Sequence, residues 1–192
     1  MEPAPAGHLS QGLALVVSAI RRDPQNPIVT LKTTSRADYV FARLEARRAG
    51  AEDALFLTID GHLSESTTSN IFLVRTAEDG ALELATPSLD CAILAGTTRS
   101  WLLRWAAGAG LRPVEGHLTP DELATADEAF VSSSVAGMIS GRMARVSSQP
   151  RSSTCFAVSA AATSGRKARA MSRWTSRVSS ALQTPHFWVK HR

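Results

Sequence analysis

In the stretch "TLKTTSR" (30–36) an amine follows a short apolar run and precedes a helical pattern, a position suited to holding Lys32 over a cavity at a sheet edge. A lysine in a dry site has a lowered pKa and can condense with a carbonyl as a Schiff base. Lys32 is the single lysine of residues 1–140, where the other ten basic residues are arginines. In "LSESTTSN" (63–70) one carboxylate, Glu65, stands among hydroxyls with an amide at Asn70. Hydroxyls and backbone amides hold such an acid ionised and ready to pair with a protonated ring nitrogen. In "LAGTTR" (94–99) a helix opens at Gly96, Thr97 and Thr98, and the free N–H groups of a helix start with two hydroxyls seat an anion such as phosphate. In "SSS" (132–134) hydroxyls close a strand and can add a phosphate contact, with Ser134 last. Taken singly, each has an ordinary reading: a solvated lysine, a loop acid, a capped helix, a strand end.

The elements that must position these groups follow from periodicity. "GLALVVSAI" (12–20) reads as a buried strand with the β-branched pair Val16 and Val17. The prolines of "RRDPQNPIVTLKTTS" fix an extended connection, and a second short strand is expected at Ile28–Leu31, leading into Lys32. Thr33, Thr34 and Ser35 are candidate caps for a following helix whose apolar face reads Ala37, Val40, Phe41 and Leu44, with Arg47 and Arg48 in the last turn and Gly50 ending it. "ALFLTID" and "NIFLVR" read as strands, and "TAEDGALELATP" turns back at Asp79-Gly80 into another. "GTTRSWLLRWAAGAG" is a helix with Trp101, Leu102 and Trp105 at helical spacing, stopping at Gly108 or Gly110. "TPDELATAD" carries a capping box, Thr119 to Glu122, and "EAFVSSS" (128–134) is a final strand. The body is α+β, with antiparallel strands, about three helices and no Rossmann alternation.

Charge divides the chain. Residues 1–140 hold 11 Lys and Arg against all 17 Asp and Glu, a balance of −6, whereas residues 141–192 hold 10 basic residues and no acid. The high pI of about 9.7 therefore belongs to the tail. That tail is serine-rich and without period or amphipathic face, so it is expected to be disordered, and nucleic-acid binding is not expected. Cys91 and Cys155 are far apart, with no C-x-x-C and no His at ligand spacing, which points to a reduced cytoplasmic chain with neither a disulfide framework nor a metal site. The 12–20 run is too short for a membrane span. No G-x-S-x-G, P-loop, G-x-G-x-x-G or H-E-x-x-H is present.

A Schiff-base lysine, an acid for a pyridinium nitrogen and a helix start for a phosphate are together what pyridoxal 5′-phosphate (PLP) requires. Their order also resembles a known family, the class IV (fold type IV) aminotransferases, which include branched-chain and D-amino-acid aminotransferases and aminodeoxychorismate lyases. The resemblance is carried by "LKTTSRADYVFARLEARRAGAEDALFLTIDGHLSESTTSNIFLV" (31–74), "TPSLDCAILAGTTR" (86–99) and "LATADEAFVSSSVAGMI" (123–139), most of residues 12–139. It implies the large domain of the D-amino-acid-aminotransferase-like fold, an antiparallel-rich sheet or pseudo-barrel with flanking helices. It makes Lys32 the catalytic lysine, Glu65 the partner of the pyridine nitrogen, and Leu94 a packing group against the ring. Gly96, Thr97, Thr98 and Ser134 would receive the phosphate, and Asn70 would support the Glu65 loop. Substrates would be an amino acid, branched-chain or similar, and a 2-oxo acid. The implied setting is a cytoplasmic homodimer.

The sequence departs from the family pattern in four places. Many members place a tyrosine five residues after the lysine, where this chain has Ala37; Tyr39 lies two further on, and "SR" (35–36) is similar to lyase-like members. An N-terminal domain supplying an arginine to the phosphate is not found before Lys32, and after Ile139 the family pattern is lost. The expected organisation is a disordered 1–11, a PLP-binding domain over 12–140 and a basic tail over 141–192, disordered or out of frame. The loss of acids gives the expectation that the reading frame shifts near residue 140 and that the start lies inside a longer gene. Besides transamination, two readings stay open: aminodeoxychorismate lyase chemistry yielding pyruvate and 4-aminobenzoate, and an inactive remnant with weak or no cofactor binding.

Overall fold

The computed structural model describes residues 13–134 together with the backbone of two further strands, 137–146 and 155–159. Nine strands, β1 (Leu13–Arg22), β2 (Asp53–Thr58), β3 (Leu63–Ser66), β4 (Asn70–Thr76), β5 (Leu82–Pro87), β6 (Arg112–Gly116), β7 (Glu128–Ser133), β8 (Gly137–Val146) and β9 (Cys155–Ser159), form one sheet in the order β3-β2-β1-β9-β8-β7-β4-β5-β6. An additional β3–β4 pairing, Glu65 opposite Asn70, joins the β3 edge to an interior strand and closes β3 through β4 on themselves. The antiparallel-rich pseudo-barrel is thus present. Two pairs are nevertheless parallel, β1/β2 and β5/β6. Each is linked through a helix, α1 (Ala37–Arg48) or α2 (Thr97–Gly108), because parallel neighbours need a crossover. A third helix, α3 (Pro120–Thr125), precedes β7.

The period-2 alternation of strands decides which core each residue joins. Leu13 and Leu15 of β1, with Leu55 and Leu57 of β2, pack inward with Leu63, Ile71, Leu73, Leu118, Leu123 and Val131. The opposite faces of the same strands, Val16 and then Ala54 and Phe56, pack against Ala42 and Ala46 of α1. That register also sends Arg22, at the even-numbered end of β1, to the α1 side, where it is fully buried.

Several local expectations hold. Gly50 and Gly110, with φ of 76° and 81°, follow α1 and α2 in the left-handed conformation that favours glycine. Gly80 (φ 80°) makes the β4–β5 turn. The capping box of α3 is formed in both directions, Glu122 N–H to Thr119 Oγ1 at 3.2 Å and Thr119 N–H to Glu122 Oε2 at 2.7 Å.

Three expectations are corrected. Residues Pro27–Thr30 form a 3₁₀ turn, not a strand over Ile28–Leu31: the Asn26 side chain accepts the Ile28 N–H at 3.1 Å and starts a turn before any partner strand is reached. The N-cap of helix α1 is Arg36, with no side-chain cap, so Thr33, Thr34 and Ser35 do not serve it. Its buried face is alanine, not the large residues. Ala42 and Ala46 are fully buried, while Val40, Phe41 and Leu44 are 44–58% exposed. Small side chains let the helix backbone approach the β1/β2 face, and that close contact turns the larger apolar groups outward.

The sheet continues beyond residue 140, which falls inside β8. Residues 1–12 and the remainder of the basic tail, with the expectations placed on them, lie outside the described residues. Among the described residues no helix is long and apolar enough to cross a membrane, a statement about helices only.

Candidate active site

The turn that ends in Leu31 delivers Lys32 to the rim of a cleft of about 620 Å³ at the β3–β4 closure. All seven residues singled out from the sequence, Lys32, Glu65, Leu94, Gly96, Thr97, Thr98 and Ser134, line that one cleft. Lys32 and Ser134 are exposed at its mouth, whereas Glu65 and Thr98 are buried.

Glu65 is 5% exposed and held from several sides. Its Oε2 accepts the Leu94 N–H at 3.0 Å and the Asn70 amide at 3.4 Å. Its Oε1 accepts the Tyr39 hydroxyl at 3.2 Å, and the Arg22 guanidinium lies 3.6 Å away. Burial pushes the Glu65 carboxyl above its ordinary value, against the opposing pull of the Leu94 N–H, Arg22, Tyr39 and Arg36. Tyr39 is pushed up as well, first by burial and then by the Glu65 charge, with Arg22 opposing. The acid is therefore desolvated, yet supplied with hydrogen-bond donors from three residues and an ion pair from a fourth.

Gly96 is required by contact, not by φ. A Cβ there would lie 2.2 Å from Asn70 Oδ1, a separation no side chain tolerates. Asn70 cannot move aside, since its amide nitrogen also donates to Leu94 O at 3.1 Å. One amide thus ties the Glu65 strand to the turn that opens α2. Gly96 is also the N-cap of α2 and brings no side chain to occupy the first N–H groups, which leaves them for a ligand. Arg99 fixes this helix start from behind: it is 3% exposed and donates to Pro87 O at 2.8 Å and to Glu115. Ser132, buried and lining the same cleft, has an Oγ without a hydrogen-bond partner.

Three residues of the site were missed by the sequence reading. Arg22 is 2% exposed, bonded to Val29 O at 3.0 Å and to Asp38 at 3.4 Å, and stacked over Tyr39 (4.8 Å) and Phe56 (5.2 Å). Arg36 also stands over the Tyr39 ring, at 4.0 Å, and donates to Thr67 O at 2.5 Å. Tyr39 is the single tyrosine of the chain. The signal for Arg22 was its place on the alternation of β1. That for Tyr39 and Arg36 was helical spacing on the Ala42 face, overlooked in favour of the bulkier apolar residues.

A carboxylate, a phosphate-type anion seat and an amine on one cleft fit PLP, and two local observations speak for a ligand of that kind. The buried Ser132 hydroxyl facing the cleft has no partner in the protein, and Gly96 leaves the first N–H groups of α2 without a side-chain cap.

Comparisons with known proteins agree with this architecture. The family model for amino-transferase class IV matches residues 1–143. A branched-chain-amino-acid aminotransferase of Pseudomonas aeruginosa is 34% identical over 131 residues, 67% of this chain and 40% of that protein. An aminodeoxychorismate lyase of Bacillus subtilis is 32% identical over 123 residues, 64% of this chain and 40% of that protein. Among solved structures, a branched-chain amino acid aminotransferase of Escherichia coli superposes with a TM-score of 0.63 at 28% identity, covering 69% of this chain and 44% of that one. The chain spans less than half the length of these relatives. A closed antiparallel-rich sheet, a cleft at its seam and a match running from residue 1 to residue 143 lead to one assignment: the chain belongs to the class IV aminotransferases, a family of PLP-dependent enzymes.

Proposed function

We propose that this chain forms the PLP-binding part of an enzyme that transfers an amino group between an amino acid, branched-chain or similar, and a 2-oxo acid. The observation that carries the reading is Glu65, a buried carboxylate lining a cleft that also receives the one lysine of residues 1–140 and an uncapped helix start. PLP, when bound, supplies an electron sink that lets a proton leave the carbon bearing the substrate amine. Lys32 would hold the cofactor through Nζ and carry that proton to and fro. Glu65, braced by the Leu94 N–H, Asn70 and Tyr39, would accept the proton-bearing ring nitrogen, a charge-assisted contact of about 1.5–3 kcal/mol. Thr97, Thr98 and the first N–H groups of α2 would seat the phosphate, with Ser132 and Ser134 adding hydroxyls and Leu94 packing on the ring. Gly96 lets the start of α2 lie directly against the Asn70 side chain that supports Glu65.

A second reading is lyase chemistry on aminodeoxychorismate. It is favoured by the Bacillus subtilis relative and by Arg36, which lines the cleft where Ala37 offers no hydroxyl. Both readings share the same lysine and acid and are separated by substrate.

The test is direct. PLP is added to the purified chain, the visible spectrum is recorded, and the adduct is reduced with borohydride and mapped. Label on Lys32, with loss of the band in Lys32→Ala, is the expected result. No cofactor band, or label on Lys167 or Lys190, overturns the reading in favour of a non-catalytic remnant. Where Lys32 is labelled, amine formation from 2-oxo acids or release of pyruvate from aminodeoxychorismate identifies the reaction.

A further inference from the structure

On the far side of the turn that leads to Leu94, three donor types converge: the Asp90 carboxylate, the Cys91 thiol and the His117 imidazole, with ligand atoms within 4.8 Å of one another. His117 Nε2 and Asp90 Oδ2 are 2.9 Å apart, and the His62 ring lies 4.9 Å from the His117 ring at an angle of 34°. We propose that Asp90, Cys91 and His117, with His62 as fourth ligand, bind one divalent transition-metal ion of the zinc type.

The backbone holds all four residues in place before any ion arrives. The Ser88 N–H donates to Gly116 O at 3.1 Å, fixing the Asp90–Cys91 turn beside His117. The Leu63 N–H donates to Leu118 O at 2.7 Å, fixing His62 beside His117. Cys91 itself closes a 3₁₀ turn, its N–H donating to Ser88 O at 2.9 Å. A tetrahedral zinc site with bonds of about 2.0–2.3 Å needs donor atoms roughly 3.3–3.8 Å apart. Among Asp90, Cys91 and His117 the widest pair must close by about 1 Å on that scale, a movement open to the exposed Asp90 and His117 side chains. Ser88 touches both ends of the site, with its hydroxyl 3.6 Å from Cys91 Sγ and bonded to Asp90.

The donor set selects the metal. One thiolate, one carboxylate and imidazoles suit zinc or cobalt, whereas calcium and magnesium take oxygen ligands. Binding breaks the Cys91 S–H bond and forms an S–metal bond, the proton leaving to solvent; the imidazoles bind neutral and no electrons move. Because the thiol must lose its proton to bind the ion, affinity falls as the pH is lowered. The ion would also brace the cleft from behind. Cys91 is followed by Ala92, held at φ 58° with its carbonyl bonded to Ser64 Oγ, and two residues later by Leu94 on Glu65.

The experiment is a Co²⁺ titration of the purified, reduced, chelator-treated full chain, read by absorption. One equivalent of tetrahedral Co²⁺ with a thiolate charge-transfer band is expected. The band should vanish in Cys91→Ser and persist in Cys155→Ser. Since the ligands themselves should matter at least as much as the groups that orient them, His117→Ala and His62→Ala should each weaken binding by at least about tenfold. If Cys91→Ser does not fold, the histidine variants decide. A band that survives Cys91→Ser, histidine variants that bind like the parent, or Co²⁺ bound without thiolate character each overturns the proposal.

Discussion

Replacing Gly96 by alanine tests how closely the start of α2 approaches Asn70. The added Cβ would stand 2.2 Å from Asn70 Oδ1, about an ångström inside contact, and the Asn70 amide is fixed to Leu94 O and Glu65. Overpacking of this type costs about 1–3 kcal/mol, and alanine is a poorer N-cap than glycine by roughly 0.5 kcal/mol. Displacing the amide weakens two hydrogen bonds worth about 1 kcal/mol each. Gly96→Ala should therefore lose about 2–4 kcal/mol, a fall in Tm on the order of 10 °C for a chain of this size. Because the clash is with one side chain, the loss must depend on it. In an Asn70→Ala background, Gly96→Ala should cost only the cap difference, giving a coupling of at least about 1 kcal/mol in a double-mutant cycle read by urea unfolding. Additive losses would refute the close approach and the account of why glycine stands there.

Other expectations follow from the same geometry. Glu65→Gln should change the pH dependence of stability. The folded carboxyl lies above its unfolded value, so its contribution is full at acid pH and is lost as pH rises through the folded value. The parent chain should thus fall relative to Glu65→Gln in urea midpoints as the pH is raised from the ordinary glutamate value of 4.5, and parallel curves would contradict a buried, desolvated acid. Arg22→Met strips the buried partner from Glu65 and Asp38 and should cost about 3–5 kcal/mol by thermal or urea unfolding, with recovery in an Arg22→Met/Glu65→Gln pair. Ala46→Leu should cost about 1–3 kcal/mol because it forces α1 from the β1/β2 face, while Phe41→Ser should stay within about 0.5 kcal/mol by the same measurement.

How far the sequence could be read depended on the range of the interaction involved. Local signals survived folding unchanged: the Thr119–Glu122 capping box, the Asp79-Gly80 turn and the glycines after α1 and α2 are each decided within about one turn of chain. Four ordered stretches, Lys32, Glu65, Gly96 with Thr97 and Thr98, and Ser134, were picked out because a ligand with three chemically distinct ends demands three distinct partners, and all of them line one cleft. Readings that required choosing a face failed. Large apolar residues on α1 suggested the core, but the helix packs through Ala42 and Ala46, because distance to the sheet outweighs side-chain size.

Residue types and short spacings determined most of the elements, the charge division and the list of residues that line one cleft. Tertiary structure alone decided that Arg22, seventeen residues before Tyr39 and forty-three before Glu65, underpins both. It alone set His117 beside Cys91 and Asp90, and His62 beside His117, where the sequence shows no ligand spacing. The physical reason is common to these cases. Pairing of strands far apart in the chain brings these segments within reach of one another, and no local period encodes a contact between them.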